Sequence, residues 1–270
     1  EKELSLLQEI LGSGEGKRID LVLITGYSGI GKSSIIHEYG KRILEEGGRF
    51  ISGKFCQLER TIPYNAIISA LRDLVRIIVS ETIDVGLFGK RLLEQLGTNI
   101  KIISDLIPEL QQLVYDTPEL AALDPMEEKN RFLITLRDFL KFLLSGERPL
   151  VMFLDDLQWA DLSSFDVITY LVTSKELENL HIIGAYRENS LEGNHPLSSF
   201  LNDISSRNQP SGTVRNIQLK TLNEACIHEM VSDTLLLPKE KTLELAQYIF
   251  GKTEGNPFFT SKLLLTLHEK

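Results

Sequence analysis

Apolar positions along this chain switch between short unbroken runs and long stretches recurring at three and four, and the switching predicts strands alternating with helices. Leu4, Leu7, Ile10 and Leu11 mark one face of a helix over Glu1–Leu11, closed by the turn Gly12-Ser13-Gly14-Glu15-Gly16. The run Ile19–Ile24 reads as a first strand. A helix follows from Lys32 to about Glu46, stopped by Gly47-Gly48, and Phe50–Phe55 reads as a second strand. From Pro63 to Ser145 the pattern is helical almost throughout. Ala66, Ile67, Ala70, Leu71, Leu74 and Ile78 share one face, and Phe132, Leu133, Leu136, Phe139, Leu140 and Leu143 another, with shorter helices between them. The acid-rich Asp116–Glu128 reads as a solvated loop or helix start, with partner binding as the alternative.

Leu150–Leu154 is a continuous apolar run, as expected of a strand covered on both faces. A helix over about Ser163–Glu178, a strand His181–Tyr186, a helix over about Leu197–Ser206 and a strand Thr213–Leu219 continue the alternation. Beyond Thr221 no strand is predicted, and helices are expected at about Asn223–Leu236, Lys239–Phe250 and Asn256–Glu269. The expected fold is α/β, a five-stranded parallel sheet covered by helices and followed by a small all-helical lid. Its division is expected at residues 1–220, with a helical insertion over about 63–145, and 221–270.

A chain of 270 residues can bury cores in both parts. The 29 basic against 38 acidic residues give a net charge of −9, and no basic cluster longer than a Lys-Arg pair interrupts it. A face for the phosphate backbone of nucleic acid is therefore not expected. Cys56 and Cys226 stand far apart without metal-type neighbours, which argues against zinc and against a disulfide. No apolar run approaches the roughly 20 residues that cross a bilayer, and the first residues lack a signal pattern, so a cytoplasmic location is expected. Helical periodicity runs to both ends, as expected of a piece of a longer protein.

The chemistry begins between the first strand and its helix. Gly26-Tyr27-Ser28-Gly29-Ile30-Gly31-Lys32-Ser33 has the spacing G-x-x-x-x-G-K-[ST], in which glycines let successive N–H groups point inward while the following helix presents its positive end. With Ser34, these residues form the expected nucleotide-binding stretch. Lys32 reaches the β- and γ-phosphates as a point charge, and the Ser33 hydroxyl completes the shell of a Mg²⁺ ion. The bland alternative is a Gly-rich surface turn. Asp155 and Asp156 follow the third predicted strand, at the edge of the sheet where ligands of such folds bind. Asp155 is the candidate metal ligand and Asp156 the candidate base that polarises an attacking water, against the alternative of two acids favouring a helix N-terminus.

These strings resemble the STAND class of signal-transduction P-loop ATPases within the AAA+-related group, especially the ATPase modules of bacterial multidomain sensor kinases and related regulators. The residues that carry the resemblance are Gly26–Ser33, Asp155-Asp156-Leu157-Gln158-Trp159-Ala160-Asp161, Gly184-Ala185-Tyr186-Arg187 and Gly255-Asn256-Pro257-Phe258-Phe259. Gly53-Lys54-Phe55 and Ile62-Pro63-Tyr64 are similar to the sensor-kinase subgroup. The resemblance implies that Arg187 senses the γ-phosphate, where the alternative is a surface arginine paired with Glu188. It also implies that Gly255 and Pro257 lay a lid against the base, where the alternative is helix punctuation. Trp159 is expected to pack under the strand-to-helix turn, and Asp161 to cap the next helix rather than orient the acidic pair. The Gly-Arg pair that family members carry before the first helix is not in this sequence, and the effector domain is expected elsewhere in a parent protein. The implied function is an ATP-binding, slowly hydrolysing switch using ATP, ADP and Mg²⁺, its partners the other domains of that protein. A nucleotide-dependent oligomer is compatible with it. The alternative is an ADP-holding scaffold without turnover, and a DNA-loading ATPase is disfavoured by the acidic balance.

Overall fold

The computed structural model describes residues 2–12, 20–114, 119–146, 148–174, 176–190, 195–206 and 214–268. The predicted turn over 13–16, the front of the acid-rich segment at 116–118 and the start of the fifth strand at Thr213 lie outside them. Five strands, β1 (Asp20–Thr25), β2 (Arg49–Lys54), β3 (Leu150–Asp155), β4 (Leu180–Tyr186) and β5 (Val214–Gln218), form one sheet in the order β2-β3-β4-β1-β5. All four pairings are parallel.

Both faces are covered, which is why the strands read as unbroken apolar runs. Leu21, Leu23, Ile51, Leu150, Met152, Leu154 and Ile182 point to one face. There they pack with α3 (Asn65–Glu81), α6 (Pro125–Leu143), α7 (Leu162–Thr173) and α8 (Pro196–Ser206). Val22, Ile24, Val151, Phe153, Ile183 and Ala185 point to the other, where α1 (Lys2–Gly12) and α2 (Lys32–Glu45) supply Leu4, Leu7, Ile36, Tyr39 and Ile43. The predicted insertion resolves into α3, α4 (Val85–Leu96), α5 (Ile100–Leu106) and α6. Asp124 caps α6 by accepting from the N–H groups of Met126 and Glu127, so the acidic stretch ends as a helix start.

Helix α7 stops at Thr173, short of the predicted Glu178, while α10 runs on to Thr253, beyond the predicted Phe250. Helices α9 (Glu224–Leu235), α10 (Lys239–Thr253) and α11 (Pro257–His268) share a separate small core of Ile227, Val231, Ala246, Ile249 and Leu264. Gly255 joins α10 to α11 with φ +75°, and a Cβ there would lie 1.9 Å from the Leu222 carbonyl oxygen. Only glycine meets both demands. The Leu222 N–H donates to Gly255 O at 2.9 Å, so the entry to this unit is tied to the turn before α11. Among the described residues no helix is long and apolar enough to cross a membrane.

Candidate functional site

The strand order lines up the carboxyl ends that carry polar side chains. Lys54 ends β2 as the register partner of Asp155 on β3, and Thr25, just before the Gly26–Ser33 loop, is the partner of Tyr186, just before Arg187. Passing along the sheet edge, one meets Lys54, then Asp155 and Asp156, then Arg187, then the glycine-rich loop. They surround a cleft of about 380 Å³.

Ser28, Gly29, Gly31, Lys32, Ser33 and Ser34 line this cleft on the loop side, and Pro257 lines it from α11. Gly26, Tyr27 and Ile30, expected at the nucleotide through the backbone N–H groups of the loop, do not line the cleft with side chains. The Ile30 side chain is 4% exposed and packs in the core beneath the sheet, which anchors the loop, and the Tyr27 side chain is exposed. Gly26 and Tyr27 face inward through their carbonyls, which accept from Lys32 Nζ at 2.8 and 2.9 Å. Burial lowers the pKa of Lys32, and the nearby Arg187 guanidinium lowers it further, against the opposing pull of Asp155 and Asp156. Two cations held close in a partly desolvated cleft favour an anion between them.

Ser33 Oγ donates to Asp155 Oδ2 at 2.9 Å, bringing together two residues 122 positions apart. The other oxygen, Oδ1, accepts the N–H of Asp156 at 2.9 Å. A hydroxyl and a carboxylate at one cleft wall are hard oxygen donors, and Mg²⁺ is ordinarily held by one or two such protein ligands, with water and phosphate oxygens completing its shell. The donor set therefore fits Mg²⁺. No group of three or more His, Cys, Asp or Glu that could cage a metal occurs among the described residues.

Asp156 adopts φ +55° and ψ +46°, a left-handed backbone that aspartate tolerates better than most residues and that ends the extended path of β3. Three groups hold it. Gln158 Nε2 donates to Oδ1 at 2.7 Å, Lys54 Nζ lies 3.1 Å from Oδ2, and Arg187 Nε lies 3.5 Å from Oδ1. Burial raises the acid's pKa, but the Gln158 donor, the Lys54 ammonium and Arg187 outweigh it and leave the carboxyl below the ordinary aspartate range. The bond to Asp156 in turn raises Lys54. Arg187 thus pairs with Asp156, whereas Glu188 accepts from Gln218 Nε2.

Gln158 is wholly buried, and its Oε1 accepts the Arg187 N–H at 3.1 Å, so one side chain fixes both the acid and the backbone of the arginine. Sequence reasoning missed it as a functional residue, although it stands inside the D-D-x-Q-W string. Arg60 donates to Gln158 O at 2.6 Å and lies 4.7 Å over the Trp159 ring. Trp159 is thereby a packing residue, as expected. Asp161 accepts from the Ser164 N–H at 2.9 Å and caps α7.

The helical unit reaches the same loop. Asn256 Nδ2 donates to Ser28 O at 3.0 Å, and the Phe258 N–H donates to Gly29 O at 3.2 Å. Gly29 has φ +76°, and a Cβ there would meet Phe258 Cβ at 2.9 Å. This glycine is not required by the G-x-x-x-x-G-K spacing, and its presence was the available signal that something approaches the loop. Asn256 was the second missed residue. Its Oδ1 accepts the Phe258 N–H at 3.1 Å, so it caps α11 while holding the loop.

The AAA ATPase domain family profile matches residues 1–183. Hybrid signal transduction histidine kinase G of Dictyostelium discoideum is 31% identical in a match covering 100% of this chain and 9% of that protein. Peroxide stress-activated histidine kinase mak3 of Schizosaccharomyces pombe is 23% identical in a match covering 92% of this chain and 12% of that protein. The chain thus spans about a tenth of the length of these relatives. Among solved structures, Cdc6p from Pyrobaculum aerophilum is 13% identical, with a TM-score of 0.49 over 86% of this chain and 48% of that one.

Proposed function

Because the chain belongs to the AAA ATPase domain family, we propose that it is an ATP-binding, slowly hydrolysing nucleotide switch inside a larger, cytoplasmic signal-transduction protein, of the STAND class. The observation that carries the reading is the contact of Ser33 Oγ with Asp155 Oδ2 on the wall of a cleft that also holds Lys32 and Arg187. The two relatives named as histidine kinases support the signalling context, since this chain matches one segment of each.

In this reading residues 1–220 are the nucleotide-binding part, with the insertion over about 63–145, and residues 221–270 are the lid. The loop amides and Lys32 bind the phosphates, Lys32 exchanging its two loop carbonyls for phosphate oxygens. Ser33 and Asp155 hold Mg²⁺, which supplies neutralisation of phosphate charge. Arg187 contacts the γ-phosphate and so leaves Asp156. Asp156 then accepts a hydrogen bond from a water and orients it. In this reading the Gln158 and Lys54 donors compete with that water for the carboxylate, which keeps turnover slow. Pro257 and Asn256 close the lid over the loop, and the difference between ATP and ADP is the bias on that closure.

A second reading, a scaffold that holds ADP without turnover, is favoured by the three groups on Asp156, all of which restrain the base. Phosphate release at saturating Mg²⁺ and ATP separates the two. The switch predicts continuous release by the parent chain that Asp156→Asn abolishes; no release by the parent above that of Asp156→Asn supports the scaffold.

A further inference from the structure

At the opposite end of β2 from Lys54, about 17 Å away at 3.3 Å per residue, lies a second and larger cleft of about 770 Å³. Ile83, Leu87, Phe88 and Phe142 give it apolar walls, and the two phenylalanine rings are 5.3 Å apart. Ile83 is fully exposed at its edge and Leu87 is 45% exposed, so apolar surface is left open where a cleft could bury it. The volume falls in the range of small-molecule sites, about 300–1,000 Å³.

The cations of this cleft are arginines, beside Thr82, Asp84 and Ser145. Arg49, Arg91 and Arg148 all line it. Arg49 Nη2 and Arg148 Nη1 meet the same oxygen, Oε2 of Glu81, at 2.7 and 3.2 Å. Asp84 also lines the cleft, but its carboxylate caps α4 by accepting the Leu87 N–H. Arg91 has no ion-pair partner among the described residues, and the Arg49 Nε is buried without an acceptor. Among the described residues, Arg49 and Arg148 thus share the carboxylate of Glu81, and Asp84 is engaged as a cap, which leaves Arg91 as the guanidinium of this cleft without an ion pair.

We infer that this cleft binds an amphipathic monoanion, an acyl or aryl carboxylate, with its apolar body against Phe88 and Phe142 and its carboxylate on Arg91. Arg91 has no ion pair among the described residues, and a guanidinium takes one carboxylate in a bidentate pair. The volume and the exposed Ile83 match the apolar body. The site is distinct from the phosphate-loop cleft, shares no lining residue with it, and does not depend on the nucleotide reading.

The test is calorimetric titration of the whole chain with octanoate and with 1-octanol, using the parent, Arg91→Glu, Arg91→Lys and Ile83→Asp, each checked for an unchanged thermal melt. Octanoate is expected to bind saturably at one site. Arg91→Glu and Ile83→Asp should each weaken it at least about tenfold and Arg91→Lys much less, and 1-octanol should bind the parent at least about tenfold more weakly. The inference is overturned by an absence of saturable octanoate binding below about 1 mM, by equal affinities for octanoate and 1-octanol, or by Arg91→Glu and Ile83→Asp proteins that bind octanoate as the parent does. Both positions are exposed, so one folded variant of the two suffices for the decision.

Discussion

Lys54 Nζ, at the end of β2, lies 3.1 Å from Oδ2 of Asp156, just beyond the end of β3, and together with the Gln158 donor it holds the acid proposed to orient water below its ordinary range. Asp156 sits below its ordinary value of 3.8, so its contribution to stability is present above that pH and is lost as pH falls through the folded value. Lys54 sits above its ordinary value of 10.5, so its contribution is present below that pH and is lost as pH rises through the folded value. Removing the ammonium with Lys54→Met should raise the Asp156 pKa and move the acid limb of the pH–rate profile upward. A profile that does not move separates Lys54 from the action of Asp156.

Asp156→Asn should retain Mg²⁺-dependent ATP binding while losing turnover, because the amide occupies the same place but is no base. Asp155→Asn should instead weaken binding in the presence of Mg²⁺ and leave Mg²⁺-free binding nearly unchanged. Nucleotide titrations with and without Mg²⁺, alongside phosphate release, check both. Parental hydrolysis by the two variants would remove both roles.

Lys32→Ala should weaken ATP binding at least about tenfold, since a charge-assisted hydrogen bond contributes about 1.5–3 kcal/mol. Equal affinity for a fluorescent ATP analogue in variant and parent contradicts the phosphate assignment.

Asn256 performs two tasks that substitution can separate. Asn256→Asp keeps the oxygen that caps α11 but loses the donor to Ser28 O, and it sets a negative charge beside the proposed phosphate site. Nucleotide affinity should fall, and the lost bond to Ser28 O, with a carboxylate set against that carbonyl, should lower the melting temperature as well. Asn256→Ala should lose the cap as well, at a cost of about 1 kcal/mol in stability. Gly255→Ala should destabilise more than that, because it combines a left-handed backbone with a Cβ against Leu222 O. Denaturant melts of the three variants give the order directly.

The parts of this site that were legible in sequence are those written in neighbouring residues. The Gly26–Ser33 spacing dictates a loop, and the buried run Leu150–Leu154 ending in two acids dictates a strand with its acids at the sheet edge. The loop spacing places backbone N–H groups and does not say where the side chains go, so the burial of the Ile30 side chain in the core was not legible from it. Lys54 was legible only as a resemblance. Its meeting with Asp156 depends on β2 lying beside β3, a pairing between residues about a hundred positions apart that no local pattern carries. Gln158 likewise joins Asp156 to Arg187 only once β3 and β4 are neighbours. Asn256 and Gly29 meet across nearly the whole chain, and only the extra glycine hinted at it. The second cleft was invisible for the same reason, since Arg49, Arg91 and Arg148 come from three separate stretches.

The central claim is that the cleft distinguishes ATP from ADP through Arg187, whose guanidinium lies beside Asp156 and lines the cleft together with Lys32. The most direct test is the pair of ATP and ADP dissociation constants for the parent, Arg187→Ala and Pro257→Ala, measured with Mg²⁺ by one titration method. The account predicts that Arg187→Ala weakens ATP about ten- to a hundredfold and leaves ADP nearly unchanged, whereas Pro257→Ala weakens both alike. Equal losses of ATP and ADP affinity in Arg187→Ala would contradict it, because a residue that touches only what the two nucleotides share cannot set a switch between them.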